Sequence, residues 1–226
     1  MKIYFDGCSW TWGSELENNE EERYPKLICD HLGAEEINFS MCGGSNDRIV
    51  RNLLVENDIE KYDVAFIQMT YSARTEYLKV ARWEEDKWTR VSVRKRFENW
   101  LREDSEKDYS LLGDKEYYDT ALSKFDSERK KLVADDITKF WRYYYTRVAN
   151  IKYFQTKEKI HLETIRNTCK AKGVPLVLST INTYSNLDFD YVMKVKKVTS
   201  APKGHPNKLG HQIIANDLLK HYENLL

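Results

Sequence analysis

The chain has 226 residues, the size of one α/β domain with room for an inserted subdomain and long enough to bury a real core. Its 36 Lys and Arg balance its 36 Asp and Glu, so charge recommends neither nucleic acid nor an anionic membrane as a partner. Aromatic residues make up 13%, with 15 Tyr and 6 Trp, which argues against disorder and allows a cleft or partner surface built on rings.

Ile3, Tyr4 and Phe5 read as a strand running into a turn at Gly7. The next residues therefore emerge at the carboxyl end of a first strand, where open α/β sheets bind ligands. Gly7 permits a sharp turn. Ser9 then stands at the mouth of a helix, where free backbone amides favour developing negative charge. It is the candidate nucleophile, although a Ser in this position also serves as an ordinary helix cap.

Ser14 to Glu22 reads as an acidic, polar loop, and Pro25 to Leu32 as a helix with Leu27, Ile28 and Leu32 on one side, stopped by Gly33. A short strand over Glu36–Ser40 leads into Met41-Cys42-Gly43-Gly44-Ser45-Asn46, a tight turn followed by a helix cap. The helix Asp47–Val55 is expected to direct Ile49, Leu53 and Leu54 inward. Asp63–Met69 is a continuous apolar strand of the kind buried on both faces of a parallel sheet, and it empties into Thr70-Tyr71-Ser72-Ala73-Arg74-Thr75-Glu76. Arg74 and Glu76 either bind a polar group of a substrate or pair with each other at the surface. Strand alternating with helix is the grammar of a doubly wound sheet.

From about 80 to 133 the pattern changes to Trp, Arg, Lys and Glu with weak helical periodicity: an insertion that is either a lid over the strand ends or a solvated helical decoration. A long helix is expected from about Asp136 to Lys172, carrying Phe154, Ile160, Leu162 and Ile165 among its apolar residues. Val174–Thr180 is the next buried strand, and Asn182–Val198 a loop holding Asp188 and Asp190. A closing helix begins near Asn207, with Leu209, Ile213, Ile214, Leu218 and Leu219 expected in the core.

The four Cys and five His form no metal-ligand spacing, so neither metal nor cofactor is expected, and the thiols read as reduced. Met1 is followed at once by Lys2 and the first strand, and no apolar run approaches the roughly 20 residues that span a bilayer. A cytoplasmic location without a signal peptide is the expectation.

Two stretches at opposite ends of the chain resemble the SGNH (GDSL-type) hydrolase family. The family's Gly-Asp-Ser followed by x-Thr-x-Gly stands here as Gly7-Cys8-Ser9-Trp10-Thr11-Trp12-Gly13, with Cys8 in place of Asp. Its closing His-Pro-Asn and Gly-His stand as His205-Pro206-Asn207 and Gly210-His211. The resemblance implies a flavodoxin-like α/β/α three-layer sandwich, one domain over 1–226 with a central parallel sheet of about five strands and the insertion at 80–133. It implies Ser9 as nucleophile, His205 as base and Gly43 as a backbone donor to the oxyanion. Thr70 stands where the family has an Asn side chain as a further donor. Asn46 joins Arg74 and Glu76 as candidate substrate-binding residues, and His211 is expected to pack rather than react.

The family's acid, three residues before the catalytic His, is replaced by Pro202. Either a backbone carbonyl or a carboxylate such as Asp188 or Asp190 orients His205, or the site has lost efficiency. The resemblance thus implies a serine esterase acting on O-acyl esters, with a small polar ester such as an acetylated carbohydrate as substrate. The alternatives are an impaired glycan- or partner-binding module and an O-acyltransferase. Cys8 in the first block, with Ser45-Asn46-Asp47 after the glycines, also resembles short forms carried by tailed bacteriophages, which would make the host cytoplasm the site of action.

Overall fold

The structure is a computed structural model that describes residues 1–79, 87–91, 144, 151–183, 185–194, 196–202 and 204–225. The chain divides into two compact units, Met1–Ser92 with Lys157–Leu226, and Val93–Thr156. Most of the expected insertion, and the start of the long helix, lie outside the described residues.

In chain order the elements are β1 (Lys2–Asp6), α1 (Ser9–Trp12), α2 (Asn19–Glu22), α3 (Tyr24–Leu32), β2 (Glu35–Asn38), α4 (Asn46–Arg51), β3 (Val64–Met69), β4 (Thr75–Lys79), β5 (Lys87–Val91), α5 (Ile151–Ala171), β6 (Leu176–Thr180), β7 (Tyr191–Val192) and α6 (Lys208–Glu223). The main sheet has the order β2-β1-β3-β6-β7, every pair parallel. Side chains alternate across it, as the pleat requires. Ile3, Phe5, Val64, Phe66 and Val177 pack on one face with Ile28 of α3 and Ile214 and Leu218 of α6. Tyr4, Ala65, Ile67 and Leu178 pack on the other with Ile49 of α4 and Leu162 and Ile165 of α5. The expected α/β/α sandwich with a parallel sheet is the fold observed.

Three apolar residues expected in the interior are not there. Leu54 is 53% exposed because α4 continues over Asn52–Glu56 as a π-helical turn, closed by Asn57 N–H on the Asn52 carbonyl. The extra residue in that turn rotates Leu54 off the buried stripe. Leu209 and Ile213 are also exposed, each lying beside the buried stripe of its helix rather than on it. β4 and β5 pair antiparallel, Thr75 with Val91 through Lys79 with Lys87, where the sequence reads as the loop after β3 followed by the start of the weakly helical insertion. Among the described residues no helix is long and apolar enough to cross a membrane.

The sheet's carboxyl edge is tied together by a buried ion pair. Asp6, fully buried at the end of β1, accepts from Arg48 Nη1 at 2.9 Å, Asn52 Nδ2 at 2.8 Å, its neighbour Gly7 N–H at 2.7 Å and Tyr4 Oη at 3.2 Å. Burial holds the Asp6 carboxyl above the usual carboxylate range, against the opposing pull of the Arg48 charge and the hydrogen bonds from Asn52, Gly7 and Arg48. The bonds fix the start of α4, and with it the Gly43-Gly44 turn, against the end of β1.

Candidate active site

Three loops meet at this edge. The first follows β1. A Cβ on Gly7 would fall 2.1 Å from Thr11 Oγ1 and 3.0 Å from Gln68 Oε1, so no larger residue fits under the one-turn helix α1. Cys8 caps that helix in an extended conformation, with its N–H on Gln68 Oε1 at 3.2 Å, and Thr11 Oγ1 donates to the same oxygen at 3.1 Å. Gln68, on β3, thereby aligns the turn that presents Ser9. Cys8 is fully buried with its thiol on Gln68 Oε1, a packed replacement for the acid of the motif.

The second loop follows β2. Met41 N–H donates to the Gly7 carbonyl at 3.3 Å, and a Cβ on Gly44 would lie 3.0 Å from that carbonyl oxygen and 3.8 Å from Cys8 Cα. The turn at Gly43, which has φ +71°, therefore lies directly on the backbone leading to Ser9. Among the described residues neither the Ser9 nor the Gly43 backbone N–H donates to a protein acceptor.

The third loop precedes α6. Ser200 bridges Pro206, and Ala201 N–H bonds the His205 carbonyl at 2.7 Å. Asn207 caps α6 by accepting from Gly210 N–H at 2.9 Å, and a Cβ on Gly210 would meet the Thr199 carbonyl at 2.5 Å. The His-Pro-Asn block thus sets a close crossing that brings His205 over the end of β1. His205 Nε2 lies 3.0 Å from Ser9 Oγ. Ser9 keeps 8% of its surface exposed, and its other acceptor, Cys8 Sγ, is a weak one at 3.9 Å.

The far side of the ring carries a residue the sequence reading missed. Glu15 Oε2 accepts from His205 Nδ1 at 2.7 Å and from the His205 backbone N–H at 3.3 Å. A carboxylate on Nδ1 selects the tautomer that leaves the Nε2 lone pair facing Ser9. Glu15 reaches it because the chain doubles back: Gly13 has φ +85° and Glu15 itself φ +72°. A left-handed residue other than Gly costs about 1 kcal/mol. The Glu15 side chain, laid against His205, retains 15% of its accessible area.

Neither expected substitute for the missing acid is near this ring. Asp190 accepts from Leu178 N–H at 2.6 Å, and the Asp188 side chain is 95% exposed beside Arg166. The carboxylate on Nδ1 comes instead from near the other end of the chain.

Other site expectations need correcting. Thr70 is fully buried, and its Oγ1 accepts from Arg74 Nη1 at 2.8 Å, so its hydroxyl is not offered to a substrate. Asn46, also buried, spends its carboxamide on the Thr70 backbone, donating to the carbonyl at 3.0 Å and accepting from the N–H at 2.8 Å. It positions the end of β3 and does not face a ligand. Glu76 pairs with Arg51, at 2.8 Å and 3.3 Å, with 4% of its side chain exposed, and not with Arg74. His211 packs as expected, fully buried and accepting from Tyr24 N–H at 3.1 Å; burial pushes its imidazole down to about 4.

No protein-family model matches the sequence, and no curated protein matches it. Among solved structures, the chain is similar to the psychrotrophic esterase EstA of Pseudoalteromonas sp., inhibited by monoethylphosphonate, at 12% identity over 99% of this chain and 97% of that one, TM-score 0.51. It is similar to a carbohydrate esterase whose active site is described as having divergent catalytic and non-catalytic binding functions, at 10% identity over 99% of this chain and 64% of that one, TM-score 0.52. A member of the lipolytic G-D-S-L family from Veillonella parvula overlaps at 12% identity over 97% of each chain, TM-score 0.37. The fold of this chain is that of the SGNH (GDSL-type) hydrolases.

Proposed function

We propose that the chain is a serine hydrolase of O-acyl esters acting through Ser9, His205 and Glu15. The observation that carries this reading is the unbroken line from Glu15 Oε2 to His205 Nδ1, 2.7 Å, and from His205 Nε2 to Ser9 Oγ, 3.0 Å. Both distances lie in the range that proton transfer needs.

In the proposed reaction Ser9 Oγ attacks the ester carbonyl carbon while its proton passes to His205 Nε2. The resulting imidazolium is stabilised by Glu15. The Ser9 and Gly43 N–H groups take the charge that develops on the carbonyl oxygen. Collapse of the tetrahedral intermediate breaks the bond to the alcohol, which leaves with the proton from Nε2. Water then attacks the acyl-Ser9 ester with His205 as base, and the proton returns to Ser9 as the acid departs. The substrate class favoured is a small polar ester such as an acetylated carbohydrate, in keeping with the carbohydrate esterase among the similar structures. With Glu15 in the acid's role, Pro202 no longer argues for an impaired binding module.

Hydrolysis of p-nitrophenyl acetate tests the proposal. The parent turns over, and Ser9→Ala and His205→Ala each lose at least about a thousandfold in kcat. Turnover that survives Ser9→Ala refutes it.

A further inference from the structure

Replacement of the family's Asn by Thr70 leaves the β3 side of the site without its side-chain donor, and Thr70 is too deeply buried to act in its place. Directly on Thr70 sits a cation. Arg74 Nη1 donates to Thr70 Oγ1 at 2.8 Å, the Arg74 N–H bonds the Tyr71 carbonyl at 3.1 Å, and its guanidinium carbon lies 5.3 Å from the Tyr71 ring centroid. The turn Thr70–Arg74 thus holds its own guanidinium from two sides.

This turn leaves the same edge of the sheet as the nucleophile's loop: β1 and β3 are parallel neighbours with Asp6 opposite Ile67, so Gly7–Ser9 and Thr70–Arg74 both follow that end of the sheet. Gln68, on the same face of β3 as Thr70, already contacts Cys8 and Thr11. Arg74 is half-buried, and its Nε is buried without a hydrogen-bond partner. Desolvating one N–H of a charged group without a partner lowers stability. A residue kept only for packing would not need that charge.

We infer that Arg74, seated on Thr70, is the third oxyanion donor of this site, a guanidinium in the place of the family's carboxamide. The inference rests on the ester-hydrolase reading above. An Arg fork carries five N–H donors in fixed geometry, so one can be held by Thr70 while another faces the cleft. Its attraction for the carbonyl oxygen strengthens as that oxygen becomes negative, which is the property of a group that acts on the transition state and not on the bound ester. Thr70 is a positioning residue, acting through Arg74.

The test uses the full chain with three variants, Arg74→Met, Arg74→Lys and Thr70→Val, and three readouts: kcat and KM for p-nitrophenyl acetate, the rate of Ser9 labelling by a fluorophosphonate, and Tm. Arg74→Met is expected to lower kcat and the labelling rate by about a hundredfold, with KM within about threefold and Tm not lowered. Arg74→Lys keeps the charge and recovers part of kcat. Thr70→Val, which removes only the acceptor under Arg74, lowers kcat by about tenfold at unchanged KM. An Arg74→Met variant that labels at Ser9 and turns over within about threefold of the parent overturns the inference and leaves the hydrolase reading intact. A change confined to KM also overturns it. A parent that neither labels at Ser9 nor hydrolyses ester overturns both.

Discussion

Glu15→Gln isolates the contribution of the acid from its shape. The substitution keeps the side chain's length and hydrogen-bonding capacity but removes the charge that faces His205 Nδ1 at 2.7 Å. Two effects add. The imidazolium formed during attack on the ester loses its counter-ion, and a carboxamide that turns its NH2 toward Nδ1 stabilises the tautomer with its proton on Nε2, which cannot accept from Ser9 at 3.0 Å. Loss of this contact in serine hydrolases costs about 10⁴ in kcat, near 5.5 kcal/mol at about 1.4 kcal/mol per decade. Since Glu15 also accepts from the His205 backbone N–H at 3.3 Å, some loosening of the loop adds to the loss. The assay is kcat for p-nitrophenyl acetate across pH 5 to 9, with Tm as the control for folding. Glu15→Gly relaxes the backbone at φ +72° and should match the activity loss of Glu15→Gln without loss of stability. A Glu15→Gln protein within tenfold of the parent in kcat would refute the assignment of Glu15 as the acid.

Three further outcomes follow from the packing. Gly7→Ala places a methyl 2.1 Å from Thr11 Oγ1, so it should lower unfolding free energy by about 1–3 kcal/mol in urea titrations and displace Ser9 enough to abolish turnover. Asp6→Asn leaves the Arg48 guanidinium buried and unpaired, a loss of about 3–5 kcal/mol by the same titration. His211 has its folded pKa at about 4, below the ordinary 6.5, so the stability it contributes is complete above pH 6.5 and is lost as pH falls toward 4. That loss amounts to about 3 kcal/mol by pH 4, and His211→Gln should flatten this part of the stability profile; an unchanged slope would contradict the buried neutral ring.

The sequence made the sheet legible because three of its strands are continuous apolar runs, each ended by small polar residues, and such runs have few other uses. The meeting of Ser9 with His205 was legible for a different reason: Gly7, Gly44 and Gly210 stand where a Cβ would meet neighbouring atoms at 3.0 Å or less, so the blocks around them carry fixed spacing. Glu15 was not, because it stands in a polar stretch with Glu17, Glu20, Glu21 and Glu22, and nothing local separates a carboxylate that turns inward from those that stay in water. The one available signal was its position just after Gly13, where the chain has to reverse. Thr70 misled because residue type says nothing of depth: a hydroxyl in the expected place is covered by a guanidinium four residues on. β7 has only two residues, Tyr191 and Val192, too few for any periodicity, and its place in the sheet is set by pairing with β6.

Whether Ser9 is an activated nucleophile decides the rest, and intact-mass spectrometry after treatment with a fluorophosphonate reads it directly. One adduct, mapped to Ser9, absent from Ser9→Ala and formed far more slowly in His205→Ala and Glu15→Gln, is the predicted result. No adduct on the folded parent chain, or one that persists in Ser9→Ala, would contradict it.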